Sequence, residues 1–258
     1  MAGVDTSVPN VARVYDYLLG GKDNFAADRQ LGDQLLAEFP QSGWISRQNR
    51  AFVGRAVRFC AEQGVAQFLD VGSGLPTMDN VHQIARRVIP RAAVVYVDKD
   101  PVAVTHSQAL LADNAGVTAI AGDVRHPAAI LADAQSLGRI DLSRPVAVVL
   151  AAVLHFITAA EDPAGIAREF RDAMPAGSYL IVSHATHDAA PEESVRASGM
   201  YQRASAPMIT RSREEVAAFF SGLELVEPEL VFTVQWWPPV ELPRPGRAGI
   251  YAGVGYKR

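Results

Sequence analysis

The chain has 258 residues and a net charge of −4, and its single cysteine, Cys60, permits neither an internal disulfide nor a cysteine-based zinc cluster. This acidic balance, with no basic run longer than Arg86-Arg87, argues against a nucleic-acid or anionic-membrane partner. The longest apolar run, residues 146–154, is shorter than the roughly 20 residues of a membrane-spanning helix, and the first residues carry no secretory signal pattern, so we expect a cytoplasmic protein with no membrane partner.

Three helices are predicted before the first strand. Residues 10–19 form a short helix that ends at Gly20-Gly21, and residues 26–38 form a second one with leucines on one face. A longer helix is predicted from Ser46 to about Gln63. Cys60 falls on the apolar stripe of that helix, where we expect it to be a core residue.

Strands and helices alternate through the middle of the chain. Asp100-Pro101 and Asp162-Pro163 each place a helix N-cap before a proline at the first helical position. The predicted elements are strand 66–71, helix 79–88, strand 93–98, helix 101–113, strand 117–121, helix 127–136, strand 146–152, helix 163–174 and strand 178–184. Such alternation is typical of parallel strands joined by crossover helices.

The C-terminal part has a different pattern. A capping box at Ser212–Glu215 opens a helix that ends at Gly222. Two strand-like stretches, 223–236 and 248–256, follow and are joined by the proline-rich turn 238–246, which predicts an antiparallel strand pair at the edge of the sheet.

These elements predict one α/β domain. Residues 65–258 should form a Rossmann-like, doubly wound core with a mostly parallel seven-stranded sheet and an antiparallel C-terminal strand pair. Residues 1–64 should add an N-terminal helical segment that includes a lid. Nothing in the pattern decides between a monomer and a homo-oligomer.

Acidic residues follow three successive predicted strands. The first strand ends in Asp70 and passes directly into the turn Gly72-Ser73-Gly74, where glycine lets a ligand lie against the main chain. The second strand ends in Asp98, where a carboxylate can accept hydrogen bonds from both hydroxyls of a ribose. Asp123 follows the third strand. Because the carboxyl ends of parallel strands share one edge of a sheet, these acids predict an adenosine-cofactor site.

The glycine-rich turn favours a cofactor without phosphates. A dinucleotide site has a third glycine and a helix N-terminus that faces a pyrophosphate, whereas Thr77 stands at the third glycine position and Pro76 delays the helix. A positively charged sulfonium also suits a turn headed by Asp70. The residues therefore favour S-adenosylmethionine over NAD.

Four stretches that span nearly the whole chain carry a resemblance to a known family. They are Arg13–Phe25, Asp70–Thr77, Val95–Pro101 and Tyr251–Tyr256. The chain resembles the class I S-adenosylmethionine-dependent methyltransferases, and more closely an actinobacterial S-adenosyl methyltransferase family formerly classed as a domain of unknown function. The departure is Leu75-Pro76, where the broader superfamily commonly has a third small residue. The resemblance does not supply a methyl acceptor.

The resemblance and the strand-end rule together predict the cofactor-binding residues. Asp70 and the glycine turn would lie under the methionine part and Asp98 would bind the ribose, while the resemblance implies that Asp123 and the Val124 backbone meet the adenine. The predicted set is Asp70, Gly72, Ser73, Gly74, Asp98, Lys99, Asp123, Val124, Ala151, Tyr17 and Asn24.

Histidines near the ends of the fourth and fifth strands suggest a base for the acceptor. His155 is the predicted catalytic residue, as a general base for a hydroxyl or amine acceptor. His184, His187 and Asp188 could bind a metal, but we favour a strand end and a loop with no metal.

Residues 13–28 are rich in polar and aromatic side chains that a methyltransferase sheet does not require. They predict a lid over the cofactor, and the alternative is a packing helix with a tight glycine turn. The predicted function is methyl transfer to a small-molecule acceptor. A non-catalytic S-adenosylmethionine or S-adenosylhomocysteine-binding module is the alternative. A nicotinamide oxidoreductase is less favoured because the sequence has no Tyr-x-x-x-Lys pair.

Overall fold

Three helices precede the sheet in the computed structural model, which describes residues 5–76, 79–112, 114–238 and 249–258. They are α1 (Val11–Leu18), α2 (Ala26–Glu38) and α3 (Ser42–Glu62). The third helix begins earlier than predicted. Ser46 does not cap it, because its hydroxyl donates to the carbonyl of Ser42 at 3.0 Å, which is the pattern of a serine inside a helix.

The predicted alternation of strands and helices is present. The strands are β1 (Gln67–Val71), β2 (Ala93–Asp98), β3 (Val117–Ala121), β4 (Ala147–Ala151), β5 (Tyr179–Ala185), β6 (Glu224–Leu225), β7 (Val231–Phe232) and β8 (Ile250–Tyr256). The helices after α3 are α4 (Val81–Val88), α5 (Pro101–Leu111), α6 (Pro127–Ser136), α7 (Pro163–Ala173), α8 (Pro191–Met200) and α9 (Arg213–Ala217). Strands β1 to β5 are parallel in the order β3-β2-β1-β4-β5, and the antiparallel β8 pairs with β5.

The sheet has eight strands among the described residues instead of the predicted seven. The predicted strand 223–236 is divided into β6 and β7, which pair with different parts of β8. Between β6 and β7, Pro228 lacks a backbone donor and Glu229 has a φ of 65°. The hydrogen-bond ladder with β8 is therefore interrupted there. The predicted turn 238–246 lies outside the described residues, except for residue 238.

Apolar residues pack on both faces of the sheet. On one face, Phe170 of α7 and Phe219 join side chains of β1 and β4. On the other face, Phe52 of α3 and Trp236 pack edge to face with ring centroids 5.5 Å apart. Cys60 lies in this second cluster and is buried, as predicted.

A third apolar cluster joins the N-terminal helices to the segment after β5. It includes Val14 and Leu18 of α1, Leu35 of α2 and Tyr201 beyond α8. Helix α8 was not predicted, because its sequence has no apolar stripe. In agreement with this pattern, none of its residues is buried. Within the described residues, no helix has both the length and the apolarity that crossing a bilayer would require.

Candidate cofactor and acceptor site

The carboxyl ends of β1 to β4 open into one cavity, here called the first cavity. Nine of the predicted cofactor-binding residues line it, namely Asp70, Gly72, Ser73, Gly74, Asp98, Lys99, Asp123, Val124 and Ala151. They come from four separate strand ends, and α1 and α3 complete the wall. The parallel topology brings these residues together from distant parts of the sequence.

The glycine turn after β1 is held against β2. The N–H groups of Gly72 and Ser73 donate to the carbonyl of Val97 at 2.8 and 3.1 Å. Gly72 has a φ of +72°, and a Cβ there would lie 2.4 Å from Cγ2 of Val153. Glycine is therefore required at this position by the backbone angle and by Val153.

Asp98 closes the turn from the end of β2. One of its oxygens accepts from the N–H of Gly74 at 2.8 Å, and the other accepts from the N–H of Asp100 at 2.9 Å. Burial raises the pKa of Asp98, and these two hydrogen bonds oppose the shift. Both oxygens are thereby fixed in position, and each keeps a further lone pair for a ligand hydroxyl.

Asp70 is buried at the floor of the first cavity. Burial raises its pKa to about 7, with Arg50 lowering it and Asp98 raising it as smaller causes. A carboxyl with this pKa is close to half protonated at neutral pH. A cationic ligand group beside Asp70 would favour its ionised form.

The residues after β3 form the side of the cavity nearest α6. The carboxylate of Asp123 accepts from Nη1 of Arg125 at 2.8 Å, and Nε of Arg125 donates to Glu161 at 2.6 Å. Val124 is buried beside them. These ion pairs fix the segment that lines this side of the cavity.

Helix α1 places different residues at the cavity from those that the sequence suggested. Tyr15 and Asp16 line the first cavity, whereas Tyr17 and Asn24 do not. The hydroxyl of Tyr17 donates to Asp33 on α2, and the amide of Asn24 donates to Asp16 at 2.9 Å. Tyr17 turns towards α2 because it lies on a different face of α1 from Tyr15. Cofactor contacts of Tyr17 and Asn24 therefore stay a prediction, and the cavity lining favours Tyr15 and Asp16 on this helix.

Helix α3 contributes two polar residues that the sequence analysis missed, Asn49 and Arg50. Nδ2 of Asn49 donates to the hydroxyl of Tyr15 at 3.0 Å, and that hydroxyl donates to the carbonyl of Ser46. Oδ1 of Asn49 is buried and has no hydrogen-bond partner among the described residues. Asn49 lies three residues before Phe52, on the apolar face of the helix. A polar residue on that face was the sequence signal that could have identified it as a site residue.

A second cavity adjoins the first one beyond the ends of β4 and β5. Val11, Tyr15, Ala152 and Phe156 line both cavities, so they form the boundary between them. His155 lines the second cavity and does not line the first.

The environment of His155 does not suit a general base. Its Nδ1 accepts from the N–H of Ala185 at 3.2 Å, so its Nε2 carries the proton in the neutral ring. Burial, and secondarily the charge of Arg211, lower its pKa to about 3. In this state His155 presents a hydrogen-bond donor, which does not favour the predicted role of general base.

Both ring nitrogens of His184 are hydrogen-bonded within the protein. Nε2 of His184 accepts from Arg211 at 2.8 Å, and its Nδ1 donates to the carbonyl of Ala185 at 2.7 Å. On the following segment, Nε2 of His187 lies 3.6 Å from Oδ1 of Asp188. Across the part of the chain that the structure describes, no group of three or more histidine, cysteine or acidic side chains is arranged to hold a metal ion.

Comparisons with known proteins agree with this geometry. The family model described as S-adenosyl methyltransferase matches residues 1–258. A crystal structure of a DUF574 family protein from Streptomyces avermitilis MA-4680 is 39% identical, with a TM-score of 0.95 over 99% of this chain and 100% of that chain. A candidate methyltransferase from Thermobifida fusca YX is also 39% identical, with a TM-score of 0.93 over 100% of this chain and 98% of that one.

A more distant structure shares the fold alone. The N-methyltransferase NodS from Bradyrhizobium japonicum WM9, crystallised with S-adenosylhomocysteine, is 12% identical with a TM-score of 0.52 over 95% of this chain and 98% of that chain. No curated protein matches the chain. The match of the family model to the whole chain, together with the two relatives at 39% identity, shows that the chain belongs to the S-adenosyl methyltransferase family and is an S-adenosylmethionine-dependent methyltransferase.

Proposed function

We propose that this methyltransferase acts on a small-molecule acceptor that enters the second cavity. The observation that carries the proposal is the wall shared by the two cavities at the end of β4, formed by Val11, Tyr15, Ala152 and Phe156. A cofactor in the first cavity and an acceptor in the second would meet across this boundary. Both cavities are of a kind that small ligands occupy, with mostly apolar walls and a few polar groups.

The first cavity fits the methionine end of the cofactor. The unpaired Oδ1 of Asn49 and the carboxyl group of Asp70 are acceptors suited to an ammonium group. Arg50, the residue after Asn49 in α3, supplies a cation suited to the methionine carboxylate. These residues offer both charges that a bound amino acid requires.

The same cavity fits the adenosine end. Asp98 can accept hydrogen bonds from the ribose hydroxyls, and the segment Gly122–Arg125 can hold the adenine. Acidic side chains outnumber basic ones in the lining, with Asp16, Asp70, Asp98, Asp100 and Asp123 against Arg50, Lys99 and Arg125. This balance suits a sulfonium cation better than the pyrophosphate of a nicotinamide dinucleotide.

The bound cofactor supplies a methyl group activated by its positive sulfur. The protein's own contribution is to align the acceptor with that methyl group and to exclude water. Tyr15 is fixed for this task by its hydrogen bonds with Asn49 and Ser46, and Phe156 contributes an apolar face. His155 can orient the acceptor through its Nε2–H group.

The second cavity argues against the alternative of a non-catalytic binding module. Such a module would need no space for an acceptor next to the first cavity, whereas the second cavity reaches the wall at Tyr15 and Ala152. The catalytic proposal is therefore favoured over the binding module.

Calorimetric titration with S-adenosylhomocysteine and with NADH tests the cofactor site. We expect S-adenosylhomocysteine to bind and NADH not to bind. Asp98→Ala should weaken S-adenosylhomocysteine binding by about 1.5–3 kcal/mol, the range for a hydrogen bond to a charged group. Asp133→Ala, which removes an exposed carboxylate on α6, is the matched control and should bind normally.

Two results would contradict the proposal. One is tighter binding of NADH than of S-adenosylhomocysteine by the unaltered protein. The other is unchanged affinity in an Asp98→Ala protein whose thermal melting shows that it is folded. The melting measurement is needed because Asp98 also accepts hydrogen bonds from Gly74 and Asp100.

A further inference from the structure

The second cavity has apolar walls built from several elements. Leu18 of α1, Leu35 of α2, Ile45 of α3 and Ala197 of α8 contribute to it, together with Phe39. Helix α8 has no buried residues, yet its inner side lines this cavity. Ala197 and Met200 of this helix pack against the third apolar cluster, and the helix also places polar groups at the cavity.

One charged side chain faces this apolar space. Glu193 of α8 is the only aspartate, glutamate, lysine or arginine among the described residues that line the second cavity, and it is half-buried. Its Oε2 accepts a hydrogen bond from Nε2 of Gln41 at 3.0 Å. The cation nearest along α8, Arg196, is paired instead with Glu38 at 3.0 Å on the exposed side. The Glu193 carboxylate therefore has no cationic partner in the described part of the cavity.

We propose that the second cavity binds a small apolar molecule that carries an amine, and that Glu193 balances the charge of this amine. The proposal rests on the proposed methyltransferase function, because it names the class of acceptor for that site. A carboxylate or phosphate in the same position would meet Glu193 and no described cation, so anionic acceptors are disfavoured. An ammonium group gains a charge-assisted hydrogen bond there.

Glu193 can also accept the proton that the ammonium group of the acceptor must lose. A bound ammonium must lose a proton before its nitrogen offers a lone pair, and a carboxylate oxygen of Glu193 can accept that proton. His155 cannot take this role, because its Nδ1 already accepts from Ala185. Glu193 is thus proposed both to select the amine and to receive its proton.

Ligand-observed NMR with matched probes tests the selectivity. Each set contains an amine, an alcohol and a carboxylate on one skeleton, for example 2-phenylethylamine, 2-phenylethanol and 3-phenylpropionate, together with benzyl and naphthyl sets. Binding is measured with the protein saturated with S-adenosylhomocysteine. We expect amines to bind better than the matching alcohols, and carboxylates to bind least.

Three variants connect the preference to Glu193. Glu193→Gln should weaken amine binding by about tenfold, corresponding to about 1.4 kcal/mol, and leave alcohol binding nearly unchanged. Glu193→Asp keeps the charge and should retain a preference for amines. Glu192→Gln removes an exposed charge from the same first turn of α8 and does not line the cavity, so it should behave like the unaltered protein.

The outcomes separate the two proposals. Equal binding of all head groups, a preference for carboxylates, or no binding by any set would overturn the amine assignment. An amine preference that survives in a folded Glu193→Gln protein would overturn the role of Glu193. If S-adenosylhomocysteine itself fails to bind, the proposed function fails instead, whereas normal S-adenosylhomocysteine binding without amine selectivity overturns only this inference.

Discussion

Binding of S-adenosylhomocysteine should release a proton from Asp70. Burial raises the pKa of this carboxyl group from its ordinary value of 3.8 to about 7, so the free protein holds a proton there near neutrality. An ammonium group beside Asp70 favours the ionised carboxylate and lowers its pKa again. The proton that leaves is the measurable consequence of placing the methionine end of the ligand at this residue.

The size of the effect follows from the pKa of the free protein. About nine-tenths of Asp70 is protonated at pH 6 and about one-tenth at pH 8, so the affinity for S-adenosylhomocysteine should rise about tenfold over this interval. Asp98 has a pKa raised by burial and contributes in the same direction. Asp70→Asn cannot release the proton, so its affinity should be lower at pH 8 and depend less on pH.

Folding stability should have the opposite pH dependence in the free protein. Because the folded protein has the higher pKa, Asp70 contributes stability below about pH 3.8, and this contribution is lost as the pH rises through about 7. At about pH 8 the unaltered protein carries a buried charge at Asp70, and the Asp70→Asn variant does not. The variant should therefore melt at a higher temperature than the unaltered protein at this pH.

Calorimetry measures the proton directly. Titrations at about pH 6.5 in phosphate and in Tris should give different apparent enthalpies, because the released proton is taken up by buffers with different ionisation enthalpies. Asp70→Asn should show a smaller difference between the two buffers. Equal enthalpies in both buffers for the unaltered protein, or an unchanged difference in the variant, would refute the assignment of the ammonium to Asp70.

Three further predictions concern the walls of the first cavity. Arg50→Gln should weaken S-adenosylhomocysteine binding by about 1.5–3 kcal/mol in calorimetry, while Arg47→Gln on the exposed side of the same helix should have no effect. Gly72→Ala should lower stability in thermal or denaturant unfolding by about 2 kcal/mol even without ligand, since its Cβ would collide with Val153; an unaltered melting temperature would contradict this contact. Amide exchange across residues 10–19 should slow when S-adenosylhomocysteine is added, and equal exchange with and without ligand would reduce α1 to a packing helix.

The strand-end acids could be predicted because their signal is local. An apolar run that ends in Asp70 or Asp98 identifies both the strand and the edge of the sheet at which the side chain emerges. The alternation with helices then indicates that these strands are parallel, so that their carboxyl ends share one edge of the sheet. This is why residues from four strand ends were placed in one cavity from the sequence.

The residues of α1 and α3 could not be placed in the same way. Tyr15 and Tyr17 have the same chemistry, and only the packing of α1 against α2 decides which of them turns towards the cavity. Asn49 and Arg50 lie within a helix whose pattern reports its apolar face against the sheet. Asn49 is marked in the sequence only as a polar residue on that apolar face, and the contribution of both residues depends on the tertiary position of α3.

His155 illustrates how a residue's place at a strand end can be predicted while its hydrogen bonds and pKa cannot. Its place after β4 was predictable from the end of an apolar strand, and it does line a cavity there. Its chemistry is decided by the N–H of Ala185, which occupies Nδ1, and by burial, which lowers the pKa of the ring to about 3. Ala185 ends β5, which is a neighbour of β4 in the sheet and not in the sequence.

The position of Tyr15 links the two cavities. Its ring belongs to both walls, and its hydroxyl is held by Asn49 and Ser46 of α3. Asn49 also presents the unpaired Oδ1 that suits the cofactor. A ligand that binds Oδ1 would fix the Asn49 amide, and with it the hydrogen bond that orients Tyr15. The polar group available to the cofactor and the aromatic wall available to the acceptor are thus joined by a single hydrogen bond, so occupancy of the first cavity should influence the shape of the second.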